Sequence, residues 1–490
     1  MLEALLDIDL VKKQATAKLD QSRRGELGQF LTPSKLASFM ASLFLPNHGE
    51  VHLLEAGAGV GSLIAAFLDK AEIQNEVGIT AYEIDPILLP YLSNIIRAYT
   101  DRFRAEGRNI QSCILGDDFI LAGSKLVIAG HRPYTHAILN PPYKKINSKS
   151  QHRKILSAIG QEHVNLYTAF ISLALAQLKQ GGQLVAIVPR SFCNGLYYKP
   201  FRNYILGKAS LNRLHLFASR TKAFEEDDVL QENIILHLTR GAEQADVIIS
   251  QSSDHSLLDM KEEAFAFDKI LKPNDPERFI YVPHLEAGLG LADSSKAHFT
   301  LKDLGLEVST GPIVDFRVKE FLRKNPEQGS VPLLYPMHFN CKEMDWPKQG
   351  RKPNSIMVNA ETEKSLWPSG FYTAVKRFSS KEEKQRIVAR VINPNQIDAT
   401  SIGLENHLNI FHSKKHGIDG LLAYGLAAYL NCTIVDQYFR SFNGHTQVNA
   451  TDLKRLRYPS RASLIQLGAE AQELTDFQPS TLDSLVSKYL

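Results

Sequence analysis

The chain has 490 residues, 44% of them hydrophobic and 22% charged, which suits two or more folded domains and excludes a disordered chain. Its 56 basic and 53 acidic residues leave a net charge of +3, a sum that neither requires nor forbids nucleic acid, because a binding face needs only local charge. Cys113, Cys193, Cys341 and Cys432 lack metal-ligand spacing and read as reduced thiols, no apolar run is long enough to span a bilayer, and the N-terminus lacks the organisation of a signal peptide, so a cytoplasmic protein without a metal is expected.

In chain order, the first patterned stretch is Gly28-Gln29-Phe30-Leu31-Thr32-Pro33, followed by a helical run over 34–44. Val51 to Glu55 reads as a short buried strand, and Ala56-Gly57-Ala58-Gly59-Val60-Gly61 leads from it into a helix beginning at Ser62. Strand, Gly-rich turn and helix form the nucleotide-cradling unit of doubly wound sheets, in which the glycines allow close backbone approach to a ligand. A second strand over 78–82 ends in Glu83, whose carboxylate can accept both hydroxyls of a ribose; an ordinary tight turn with a solvated Glu83 is the plainer alternative. A third, over 112–115, ends in Gly116-Asp117-Asp118-Phe119, an acid and an aromatic suited to an adenine amino group and ring.

Next comes an apolar strand, 136–139, ending in Asn140-Pro141-Pro142-Tyr143. An aromatic amine is a poor nucleophile because its lone pair is delocalised into the ring. The Asn140 amide oxygen and the Pro141 carbonyl can each accept one of its N–H groups, favouring a tetrahedral nitrogen. The paired prolines stiffen the loop, and Tyr143 supplies a flat face for a base turned out of a duplex. Taken alone, the tetrapeptide also reads as a proline-rich turn after a buried strand. A helix from Leu166 to Leu178, a strand over 183–188 and another over 233–238 continue the alternation, which predicts a mostly parallel sheet covered on both faces.

These segments resemble the S-adenosylmethionine-dependent amino methyltransferases of DNA, and their order resembles the gamma class, the Taq methyltransferase and its relatives, over about residues 20 to 240. The resemblance implies a doubly wound α/β catalytic domain over 1–240, with the helical segment 1–45 included, and a mixed α+β target-recognition domain over 241–490. It also implies S-adenosylmethionine as cofactor, bound by Thr32, Glu55, Gly57, Gly59, Glu83, Asp118 and Phe119. Asp117 leaves the register of that last pair open by one residue. By the same resemblance Asn140, Pro141 and Tyr143 are catalytic and Phe224 closes the other face of the target base, although Phe224 also reads as a core residue before a strand.

In the second half, basic residues cluster near aromatics at 348–352, 376–390 and 414–416, and Tyr372 to Val388, Glu405 to His412 and Phe442 to Asn449 resemble BsuBI/PstI-type modification methyltransferases. The implied function is N6-adenine methylation of duplex DNA, protecting it from a separate restriction endonuclease that is a genetic partner. Lys376, Arg377, Asn406, His407 and Asn409 are candidate base or phosphate contacts; Asn443-Gly444 and Gln447 to Asn449 read equally as a structural turn. A six-base palindrome such as CTGCAG is the expected target. Cytosine-N4 methylation is the alternative within DNA, and methylation of a protein glutamine lies further off because such enzymes lack both flanking regions.

Overall fold

The computed structural model describes residues 7–19, 31–46, 49–70, 76–217, 232–283, 285, 297–379, 383–443 and 447–490. The chain forms two compact units, Met1–Leu285 and Glu286–Leu490. In the first, nine strands make one sheet: β1 (Val51–Ala56), β2 (Glu76–Tyr82), β3 (Asn109–Leu115), β4 (Tyr134–Leu139), β5 (Leu178–Pro189), β6 (Ala209–Phe217), β7 (Asn233–Arg240), β8 (Val247–Ser252) and β9 (Lys261–Phe265). Their spatial order is β3-β2-β1-β4-β5-β7-β6-β8-β9. The first five are parallel, and β7 runs antiparallel to both β5 and β6. This is the expected doubly wound α/β arrangement.

Alternation along the strands makes the two faces. Leu54, Ala137, Leu184 and Ala186 point to a core shared with helices Gln151–Ala158, Leu166–Gln177 and Lys199–Lys208, whereas Leu53, Ile79, Ile138 and Val185 meet helices Ser34–Ser42, Ser62–Lys70 and Leu89–Ala105. The segment leading to β1 is held on the second face by Gln183 of β5, whose side chain accepts from Leu45 N (2.8 Å) and donates to Leu45 O (3.0 Å). Phe44 packs edge-on against the buried rings of His136 and His237, and Phe39 against His215.

The expected boundary at residue 240 is corrected by the structure. Gly241 adopts φ +65° in a turn, and the Gln244 side chain bonds both Leu211 N and Leu211 O, so residues 241–246 are a connection rather than a linker. Strand β8 then pairs in parallel with β6, β9 pairs with β8, and Ile270, Ile280 and Val282 enter the core of the first unit.

The second unit contains a four-stranded antiparallel sheet, in spatial order Glu307–Thr310, Leu408–His412, Tyr372–Lys376 and Ala389–Ile392. A five-stranded sheet runs Leu322–Arg323, Ser355–Met357, Ser330–Leu334, Ser401–Leu404 and Leu366–Pro368. Helices Gly420–Leu430 and Arg461–Gln472 pack through Gly425 and Gly468; a Cβ on either would overlap a carbonyl of the facing helix, Leu464 O or Leu421 O.

Candidate active site

The carboxyl ends of β1, β2, β3 and β4 meet at one rim of the sheet, where a cavity of about 370 Å³ opens. Of the residues singled out in the sequence, Gly57, Gly59, Glu83, Asp118, Phe119 and Asn140 line it. Thr32, Glu55, Pro141 and Tyr143 stand outside the lining, while Leu31 and Pro142 beside them contribute to it. Phe224 lies outside the described residues.

The glycine turn is built for close approach. Gly57, Gly59 and Gly61 have φ of +78°, +58° and +90°, and a Cβ on Gly59 would come within 2.9 Å of Leu31 Cδ2. Gly57 N and Ala58 N donate to Tyr82 O, tying the turn to β2. The Glu83 carboxylate is fixed from both sides, with Oε2 accepting from Gly59 N and Oε1 from Asp85 N, each at 2.7 Å. Burial raises its pKa despite these donors.

Glu55 is 1% exposed, and its Oε2 has no hydrogen-bond partner. Burial holds its pKa well above the ordinary carboxylate value; a donor N–H from Ile64 opposes this and the charge of Glu83 adds to it. A buried carboxylate oxygen without a donor beside a glycine turn calls for a cationic partner.

At the end of β3, Asp118 caps helix Phe119–Ile128 through Oδ1, accepting from Ile120 N (2.9 Å) and Leu121 N (3.1 Å). Its Oδ2 meets His152 Nε2 at 2.7 Å. Burial raises the Asp118 pKa, but the His152 bond and the capping donors outweigh it and leave the carboxyl below its usual value; the same bond raises the His152 pKa against burial. Asp117 also lines the cavity with its side chain exposed, so both members of the one-residue ambiguity reach the site. Phe119 is buried against Tyr82 and Phe170, with ring centroids 5.1 Å from each. Sequence reading missed the far wall, where Lys144, Asn147 and His152 line the cavity. Lys144 and Asn147 follow the proline loop directly, which was the available signal; the ring of His152 arrives only through its contact with Asp118, 34 residues away.

Asn140 sits at the rim with its amide held at both ends. Nδ2 donates to Thr32 Oγ1 (3.0 Å), and the Tyr143 hydroxyl donates to Oδ1 (3.3 Å), with Ile187 O a second acceptor for that hydroxyl at 3.4 Å. The Tyr143 ring stands edge-on to Tyr167, 6.1 Å between centroids, and burial raises its hydroxyl pKa. Pro141 is buried.

In the second unit most of the expected DNA contacts have protein partners. Lys376 Nζ pairs with Glu383 at 2.9 Å. Arg386 is 1% exposed, with Nε on Ser379 Oγ and Nη2 on Asn443 Oδ1, so it braces the interior instead of meeting phosphates. Asn409 is buried and spans Thr310 and Val448, while Asn443 and Asn449 bond the capping carboxylate of Asp452; Gly444 lies outside the described residues. Arg377, Asn406 and His407 meet at one turn. Among the described residues no group of three His, Cys, Asp or Glu could hold a metal, and no helix is long and apolar enough to cross a membrane.

Residues 123–224 match the family described as Eco57I restriction-modification methylase. The chain is 47% identical over 478 residues to the type II methyltransferase M.BsuBI of Bacillus subtilis, covering 96% of this chain and 94% of that one. It is 42% identical over 491 residues to M.PstI of Providencia stuartii, covering 99% and 96%. To M.AccI of Acinetobacter calcoaceticus it is 27% identical over 233 residues, 46% of this chain and 39% of that one. With relatives aligned along nearly its whole length, the chain belongs to the type II methyltransferases of restriction-modification systems and is a DNA methyltransferase that uses S-adenosylmethionine.

Proposed function

We propose that this enzyme methylates the N6 amine of an adenine turned out of duplex DNA, within a specific sequence, in the cytoplasm, and so protects DNA from a restriction endonuclease that is its genetic partner. The observation that carries the reading is the Asn140 amide at the mouth of the cavity, between Thr32 and the Tyr143 hydroxyl. The donor set fits the cofactor: Glu55 has a buried oxygen free to take an ammonium, Glu83 offers carboxylate oxygens at the wall for ribose hydroxyls, and Gly57 and Gly59 leave room for close contact. Asp117 or Asp118 would take the adenine amino group, beside Phe119. S-adenosylmethionine supplies a methyl group on a sulfonium, whose transfer is strongly downhill.

The protein's own residues then have a small set of tasks. Asn140 Oδ1 accepts one N–H of the target amine and Pro141 O the other, drawing the nitrogen lone pair out of the ring. Thr32 and the Tyr143 hydroxyl hold the amide plane in place before substrate arrives, so little ordering is left for the reaction itself. Tyr143 would offer its ring to the extruded base, with Phe224 on the other face. The extra proton of the alkylated nitrogen leaves by way of Asn140 to water. The unit Glu286–Leu490 carries target recognition, and the catalytic unit extends to residue 285.

The test is incubation of the purified chain with S-adenosylmethionine and unmethylated plasmid, followed by nucleoside mass spectrometry and single-molecule sequencing. N6-methyldeoxyadenosine in one sequence context is expected. N4-methyldeoxycytidine would overturn the choice of base, and methylation of protein but not DNA would overturn the reading altogether.

A further inference from the structure

Glu405 follows strand Ser401–Leu404, and its side chain is wholly buried. Both of its oxygens serve one residue: Oε2 accepts from His407 N (2.9 Å), and Oε1 meets His407 Nδ1 at 2.5 Å. A carboxylate accepts and does not donate, so Nδ1 carries the hydrogen and Nε2 is the ring atom left for an outside partner. The imidazole is 42% exposed and lies 4.9 Å from the ring of Phe378, itself 39% exposed.

Arg377 belongs to the same turn. Its N–H donates to His407 O (2.8 Å), its Nη1 donates to Asn406 O (3.1 Å), and its Nε is buried without a hydrogen-bond partner, which leaves the Nη end of the guanidinium for an outside group. Asn406 N in turn donates to Ile313 O, which brings the neighbouring turn Asp315–Arg317, with the exposed Phe316 and Arg317, to this surface.

Burying a carboxylate costs several kcal/mol, about as much as a small domain can tolerate at one position. A turn that needed only to close could place a neutral side chain there. Here the buried charge sets the tautomer and direction of a surface imidazole. Sequence-independent phosphate contact does not need such aim, because a mobile lysine serves equally well; reading a base edge does.

Resting on the proposal that this enzyme modifies a specific DNA sequence, we propose that His407 and Arg377 read base edges in the major groove, with Glu405 as the positioning residue that aims His407. In the tautomer with Nδ1–H committed to Glu405, His407 presents Nε2 as an acceptor for the exocyclic amine of cytosine or adenine. Arg377 presents guanidinium donors to guanine N7 and O6.

The test compares wild type, His407→Ala, Arg377→Ala and Glu405→Gln by single-turnover rates on the cognate duplex and on duplexes with one base pair changed. Single-molecule sequencing of methylated plasmid is read alongside. His407→Ala should lower the cognate rate about 10- to 100-fold, the usual size of one lost base contact, and make one position of the methylated sequence degenerate. Arg377→Ala should relax a different position, and Glu405→Gln the His407 position to a lesser degree. S-adenosylmethionine affinity should stay unchanged in all three. Should His407→Ala melt early, His407→Gln, which keeps a polar group, carries the same comparison. An unchanged methylated sequence in the folded variants, or a uniform loss of rate on all duplexes, would overturn base reading. If the wild type modifies no DNA, the underlying proposal falls instead, and the two failures are thereby distinguished.

Discussion

The rim of the first unit's sheet and the basic surface of the second use polar residues in opposite ways. At the rim, polar groups converge on open volume: Asn140, Glu83 and Asp118 line a cavity. In the second unit, residues that look like a DNA-binding charge run are spent on the protein, Lys376 on Glu383, Lys352 on Asp315 and Arg386 on an interior network. A cluster of charges in sequence is therefore poor evidence of a binding face, whereas a short polar loop at a strand's carboxyl end is good evidence of a site.

Substitutions can break this contrast. Asn140→Ala should produce the largest effect, a loss of about 100- to 1000-fold or more in single-turnover methyl transfer, while DNA binding measured by fluorescence anisotropy persists. Near-normal turnover would remove the rim from the chemistry. Arg386→Ala should act on stability rather than on binding, lowering the second unit by roughly 3 kcal/mol in denaturant titrations, since it leaves buried partners unsatisfied. A variant that melts like wild type but loses DNA affinity would make Arg386 a phosphate contact after all.

Tyr143→Ala should weaken retention of the paired target site by about 1–3 kcal/mol if the ring stacks on an extruded base. Tyr143→Phe keeps the ring and removes the bond to Asn140, so it should cost only about 2- to 10-fold in rate. Equal effects from the two would assign the whole contribution to the hydroxyl.

A further effect is on stability against acid. Burial lowers the pKa of His136 and His237 to about 4 and of His215 to about 3, from the ordinary 6.5. As pH falls, the unfolded chain takes up these protons first. The stability tied to keeping the rings neutral is thus complete above about pH 6.5 and lost progressively towards pH 4. Circular dichroism melts at pH 7.5 and 5.5 should show the transition moving down at the lower pH, and an upward shift would contradict the burial of these rings.

The catalytic unit was legible because its signals are local. Short apolar runs end at Gly57, Glu83 and Asn140, and each punctuating residue sits where its strand stops. Distance in sequence hid the rest. Gly241 to Asp246 looks like a break until β8 is seen lying beside β6, more than 30 residues earlier. Nothing near Asp118 announces His152, and nothing near Arg386 announces Asn443, 57 residues on. The stretch from Glu405 to His412 is marked by resemblance, but nothing in its sequence says that the Glu405 side chain turns inward to hold His407.

The glycine contact between helices Gly420–Leu430 and Arg461–Gln472 bears on how such an enzyme could acquire a new target. Neither Gly425 nor Gly468 has room for even a methyl group, so the helical chassis admits almost no variation at its crossing. A library that randomises the turns around Phe316, Arg377 and His407 while leaving that crossing untouched should therefore yield far more folded members than one spread evenly over the unit.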